Sequence, residues 1–226
     1  MRSVLLRVVV CAAMAASVSA AFAKDAVFQA NPDNGYFTPF SSSTPAGVKY
    51  GDGGWLSNWQ PAGFQLTEID LVMCAYNSTV AGTTDLLFTF NDGDPSGLVF
   101  GSGAALYSTT IQGVAVPATT AGGATYFDVT IPLPNVMTLG GYNNVGFSVG
   151  VQNFSYAGSL GFACSSTYGQ QIGYYTNNAS YYNGGWSLFA FSSDPHYGVG
   201  NFAATMYTPE PAALLSALLL GLIRRR

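Results

Sequence analysis

Gly146-Phe147-Ser148-Val149-Gly150 has the G-x-S-x-G spacing of a nucleophile elbow, and Asp194 and His196 follow in the Ser-Asp-His order of α/β-hydrolases. The chemistry would be acyl transfer from a serine raised on a strand-to-helix turn. The sequence around it does not supply that turn. Val151-Gln152-Asn153-Phe154 continues as strand, and Asp194 and His196 stand two residues apart around Pro195. An acid that close cannot orient the imidazole from a separate strand end. The expectation is a glycine-bearing strand with Ser148 on one face, and a loop position for His196. Because His196 is the only histidine, a multi-histidine zinc site is excluded, and Cys74 and Cys164 lack the C-x-x-C spacing of a thiolate site.

Asp92-Gly93-Asp94-Pro95-Ser96-Gly97 places oxygen side chains at positions one, three and five and glycine at six. Hard cations want several oxygens close together, and this is how a calcium loop begins. Asp92, Asp94 and Ser96 are therefore candidate Ca2+ ligands. The twelfth position is Gly103 instead of glutamate, and strands flank the segment, so an ordinary Asp/Gly/Pro turn fits the same residues. Asp52, Glu68, Asp70, Asp85 and Asp128 could in number furnish a glycosidase pair. No spacing singles out two of them, and strand-borne acids on a solvent face are routine. The chain is read as non-enzymatic.

The aromatic residues carry a further signal. Trp55 and Trp59 flank an Asn58/Gln60 segment, Tyr181-Tyr182 follows Asn177-Asn178, and Trp186 follows Gly184-Gly185. Sugars stack on aromatic faces while amides satisfy their hydroxyls. Trp55, Trp59, Tyr181 and Trp186 are thus candidate glycan contacts, with the filling of a sandwich core as the competing use.

These residues must be positioned by strands. Only 8% of the 226 residues are charged and 49% are apolar, against about 25% charged in ordinary soluble domains. The apolar residues nevertheless fall in short alternating runs, which excludes a polytopic membrane protein. The 14 Tyr, 15 Phe and 3 Trp exclude a disordered chain. Thr67 to Tyr76 sets Ile69, Leu71, Met73 and Ala75 on one face and Glu68 and Asp70 on the other. Similar runs occupy residues 85–90, 104–111, 124–131, 144–152, 171–176, 186–191 and 202–207, separated by Gly/Asn/Asp clusters. Short strands without intervening helical periodicity predict an all-β, antiparallel, jelly-roll-like β-sandwich over residues 24–207.

That body carries two lysines, Lys24 and Lys49, against nine aspartates and Glu68, for a net charge of −8. Such acidity repels phosphate polymers, so nucleic acid is excluded as a partner. Cys74 and Cys164 remain once a leader containing Cys11 is removed. In an oxidising compartment they either form a disulfide, worth roughly 4–5 kcal/mol for a loop of about 90 residues, or stay as two separate buried thiols.

The other cations lie at the ends. Residues 1–23 read as a signal peptide: Arg2 and Arg7, an apolar run from Val8 to Ala16, then Ala21-Phe22-Ala23 before Lys24. Signal peptidase is the implied partner and export the implied fate. Residues 208–226 contain Pro209-Glu210-Pro211, an apolar stretch from Ala212 to Ile223, and Arg224-Arg225-Arg226. The apolar stretch is rich in helix formers. The arginines would stay cytoplasmic by the positive-inside rule.

This ending resembles the PEP-CTERM sorting signal of Gram-negative bacteria. The resemblance implies recognition of Pro209, Glu210 and Pro211 by the membrane protease exosortase, with Arg224, Arg225 and Arg226 as the cytoplasmic stop. It also implies an association with exopolysaccharide. One feature departs from a permanent anchor: Pro211 to Ile223 would form a helix only about 20 Å long, against a ~30 Å hydrocarbon core. The stretch suits a transient sorting handle. Asn91–Gly97, Leu106–Thr110 and Phe127–Pro132 are similar to segments of the β-sandwich ectodomains that precede this signal. The expected protein is an exported envelope or matrix component with a structural or adhesive role. A calcium-assisted carbohydrate-binding module is the alternative, and a secreted hydrolase the remote one.

Overall fold

The computed structural model describes residues 24–57, 65–134, 144–166, 169–175, 179–191 and 200–209. Their strands are β1 (Lys24–Ala30), β2 (Phe37–Phe40), β3 (Lys49–Trp55), β4 (Glu68–Tyr76), β5 (Gly82–Gly93), β6 (Gly101–Val116) and β7 (Ala124–Pro132), followed by β8 (Asn144–Ser155), β9 (Ser159–Ala163), β10 (Gln170–Ile172), β11 (Tyr174–Tyr175), β12 (Ser180–Tyr182), β13 (Trp186–Leu188) and β14 (Ala204–Pro209). No helix occurs among the described residues. The leader and the residues beyond Pro209 lie outside them.

All pairing is antiparallel and forms two sheets. One runs β10-β1-β14-β4-β9-β2, with β7 along the other side of β4. The second runs β13-β12-β3-β8-β5-β6, with β11 beside β3. The long pairings are nested: β5 with β6, β4 with β7, β3 with β8, and β1 with β14. The first half of the chain therefore folds back on the second as one long double strand, wrapped so that successive pairs alternate between layers.

Period-two burial drives the two layers together. Ile69, Leu71 and Met73 of β4 face Leu86, Phe88 and Phe90 of β5 and Val145, Phe147 and Val149 of β8 across one continuous core. Seven phenylalanines that are fully buried among the described residues dominate it, and Phe162 and Phe202 stack with ring centres 4.7 Å apart. Removal of one such ring costs about 3–5 kcal/mol.

Every sequence-predicted run contains strand, but β1, β2, β3, β9 and β12 escaped prediction. The instructive omission is β3, Lys-Tyr-Gly-Asp-Gly-Gly-Trp, which reads as a turn because glycine weakens a strand and leaves no side chain to pack. It is a central strand because those glycines solve a packing problem at the site described next.

Candidate functional site

Glycines clear a shallow bed on the outer face of the β3–β8 pair. Residues on β3 alternate: Tyr50, Asp52 and Gly54 point into the core, while Gly51, Gly53 and Trp55 point outward. On β8, Val145, Phe147 and Val149 point inward, leaving Gly146, Ser148 and Gly150 outside. The segment between β5 and β6 lies down on this bed. A Cβ at Gly51 would stand 2.5 Å from the Pro95 ring, and one at Gly53 would stand 3.0 Å from Phe100 and 3.1 Å from the Asp94 Cα. At Gly146 it would overlap the Gly93 carbonyl oxygen.

Asp94 shapes that segment. Its side chain is fully buried, and its carboxylate accepts the backbone N–H groups of Ser96, Leu98 and Val99, each at 3.2 Å, and the Ser96 hydroxyl. Asp92 turns elsewhere and accepts the Ser102 hydroxyl at 2.8 Å. Asp94 and Ser96 therefore meet one another, but Asp92 does not join them. The Asp94 oxygens are occupied by amides, as in an Asx-type turn. Among the described residues no three acidic, cysteine or histidine side chains converge as a metal group.

The nucleophile-elbow spacing is resolved as strand. Gly146–Gly150 lies wholly inside β8, and Ser148 is 2% exposed, with register partners Gly51 and Thr89. There is no sharp turn to raise its Oγ. Asp194 and His196 lie outside the described residues.

The three aromatic candidates among the described residues do not all share a face. Trp55 is on the outer face of its sheet, its ring centre 4.1 Å from that of Phe100 and 5.3 Å from that of Tyr174. Trp186 is the register partner of Tyr182, which pairs with Lys49, so it shares that face. It lies near the opposite end of β3, about 20 Å from Trp55 at strand spacing. Tyr181 pairs with Tyr50 and points the other way. Trp59 lies outside the described residues. Tyr181 instead lines a cleft of about 310 Å³ with Thr38, Pro39, Tyr50, Ser187, Phe189 and Phe191. Burial pushes the Tyr50 phenol up to about 12, so it stays a neutral donor there. Phe189 and Phe191 fell in a predicted strand but were not expected to line a site; only alternation through Trp186 to Phe191 hinted at them.

The disulfide alternative is corrected. Cys74 and Cys164 are free and buried. Cys74 is the register partner of Gly161, three residues before Cys164. An odd offset puts the two side chains on opposite faces of one sheet, where no S–S bond can join them. Cys164 enters the core, while Cys74 sits beneath Tyr126, its own register partner on β7. Desolvation raises both thiols, that of Cys74 to about 11.

Sequence reading treated Asp52 only as one of several acids. It is wholly buried between the layers, accepting the Phe202 N–H at 2.6 Å and the Gly53 N–H at 2.8 Å. The Tyr175 hydroxyl donates to the Phe202 carbonyl. Two side chains from one sheet thus hold both backbone polar groups of a single residue, Phe202, which bridges to Cys164 beside the other sheet. Desolvation holds the Asp52 carboxyl well above the usual carboxylate range; the two N–H bonds oppose this, and Asp94 adds to it.

At the end of sheet one, Lys24 opens β1 and Pro209 closes β14, and the two are register partners. Lys24 pairs with Glu68. Glu210, Pro211 and Arg224 to Arg226 lie outside the described residues.

Fold and site together define an all-β protein of two antiparallel sheets, with an ordered loop on one outer face and an aromatic cleft at one edge. No family model, curated protein or solved structure matches the chain.

Proposed function

We propose that this chain is an exported jelly-roll β-sandwich, delivered by a signal peptide and handled by exosortase, that serves a structural or adhesive role in the cell envelope or extracellular matrix. The carrying observation is the ordered tripartite ending: Pro209-Glu210-Pro211, the apolar run to Ile223, and Arg224-Arg225-Arg226. The pairing of Lys24 with Pro209 supports it, because the predicted cleavage point and the sorting motif then adjoin at one corner of a sheet. The nested strand order, β1-β14-β4-β7 over β3-β8-β5-β6, supports the jelly-roll wrapping. A compact acidic body leaving both tethers from one place suits delivery through a membrane and release from it.

The test attaches residues 208–226 to a secreted reporter in hosts with and without exosortase. Processing and surface delivery should require the enzyme and should fail when Pro209-Glu210-Pro211 is replaced by alanines. Identical processing in both hosts would refute the sorting reading.

A second reading, contact with exopolysaccharide, rests on the cleft of Tyr50, Tyr181, Phe189 and Phe191 and on the half-exposed Trp55–Tyr174 pair. Aromatic rings with hydroxyls at the rim suit neutral sugar faces. Affinity electrophoresis through polysaccharide gels should show retardation that is reduced by Tyr181→Ala. Migration unchanged by every polysaccharide would dispose of it. Ca2+ belongs to this reading only if binding displaces the loop amides from Asp94.

A further inference from the structure

A sheet edge presents unpaired N–H and C=O groups, and folded proteins ordinarily blunt it with short strands, charges, proline or bulges. This chain blunts nearly every edge its described strands leave. On the first sheet β10 has three residues, β2 has four including Pro39, and β7 carries Asp128 and ends at Pro132. On the second, β13 has three residues. The least blunted is β6: 16 residues, Gly101–Val116, with no charged residue and no proline, and with bulges confined to three register shifts against β5. Among the described strands it pairs with β5 alone.

Register shifts between Thr84 and Leu86 and between Phe90 and Asn91 bound a regular stretch, in which Tyr107–Ile111 runs opposite Leu86–Phe90. Tyr107 and Ile111 pack toward the core, while Ser108 and Thr110 are exposed on the outer face. Leu98 (62% exposed), Val99 (40%) and Leu106 (44%) add apolar surface at one end.

We propose that the free edge of β6 is a self-association site, where two copies of this chain pair β6 to β6, antiparallel, to join their second sheets. A backbone row with no strand partner among the described residues calls for another extended strand, not a globular surface or a small ligand. The charge distribution selects a second copy. The body carries a net −8, so copies repel over most of their surface, and this edge, which opposes only uncharged Gly, Ser, Thr, Gln, Tyr and aliphatic residues to themselves, is where two copies meet with least repulsion. Antiparallel pairing of a strand with itself is a closed twofold contact. Because the other edges are blunted, growth stops at the dimer.

The test uses the full chain in a mild non-ionic detergent and measures mass by light scattering and sedimentation across concentration. Wild type should be dimeric. The outward-facing double variants S108K/T110K and S108E/T110E should each be monomeric, with the dissociation constant raised roughly tenfold or more, since like charges directly opposite across strands repel. An equimolar mixture of the two should recover the dimer. The single variant Thr110→Lys, at an exposed position, guards against loss of folding in the doubles and should weaken the dimer in the same direction. A wild-type monomer throughout would overturn the proposal. So would a dimer unaffected by these charges, which would place association in the apolar ends instead. Sorting can fail or succeed independently, because these variants leave residues 208–226 untouched.

Discussion

Asp52 should make the fold less stable as pH rises, and its replacement by asparagine should remove that dependence. A carboxyl whose pKa is raised on folding binds its proton more tightly in the native state. Its contribution is complete below the unfolded value of about 3.9 and is lost as pH climbs through the raised native value. The slope within that window approaches about 1.4 kcal/mol per pH unit. Asp52 is fully buried with no cation beside it among the described residues, and its N–H bonds to Phe202 and Gly53 only partly offset desolvation. Asp52→Asn cannot ionise and retains one acceptor oxygen for two N–H donors. At pH 4 the variant should be weaker than wild type by about 1 kcal/mol, one lost hydrogen bond. With rising pH the gap should close and then reverse. Urea unfolding of both proteins between pH 4 and 8.5 gives the difference directly, and carboxylates common to both cancel, including Asp85, whose shift runs the opposite way. A difference that stays flat across this range would refute the reasoning: Asp52 would then be ionised, or not buried, throughout.

Other consequences follow from the same geometry. Asp94→Ala should free the amides of Ser96, Leu98 and Val99, cost about 1–3 kcal/mol and raise hydrogen exchange at those residues; unchanged exchange would contradict the loop's construction. Calorimetric titration with calcium tests whether Asp92, Asp94 and Ser96 can still act as ligands, and a cation held there should be lost in Asp94→Ala. Gly146→Ala should destabilise by at least about 1–3 kcal/mol, because its Cβ meets the Gly93 carbonyl oxygen; a neutral melting shift would refute the close approach. Cys74 and Cys164 should resist a thiol reagent at pH 8 in the native protein and both react in denaturant without reductant, since burial raises both thiols. If neither reacts in denaturant, they are bridged.

Alternation was readable where one strand face is apolar, as in Ile69, Leu71, Met73 and Ala75 of β4, because period two is a local consequence of the pleat. The same rule made Gly146–Gly150 a strand and not an elbow. It failed for β3, where three glycines erase the side-chain signal, and their use is visible only once Pro95 and Phe100 lie against them. Asp52 was one acid among several for a similar reason. Its burial depends on Phe202, 150 positions away, and no local pattern encodes that meeting.

The sequence by itself determined the charge layout: five arginines in two apolar ends, an acidic aromatic body between them, and a sorting-like tripartite tail. Those properties are additive over residues and need no fold. Only the tertiary structure decided which residues meet. It separated Trp55 and Trp186 from Tyr181, set Cys74 and Cys164 on opposite faces, and left β6 as the long uncharged edge. Facing and pairing depend on register between distant strands, and a shift of one residue inverts every face.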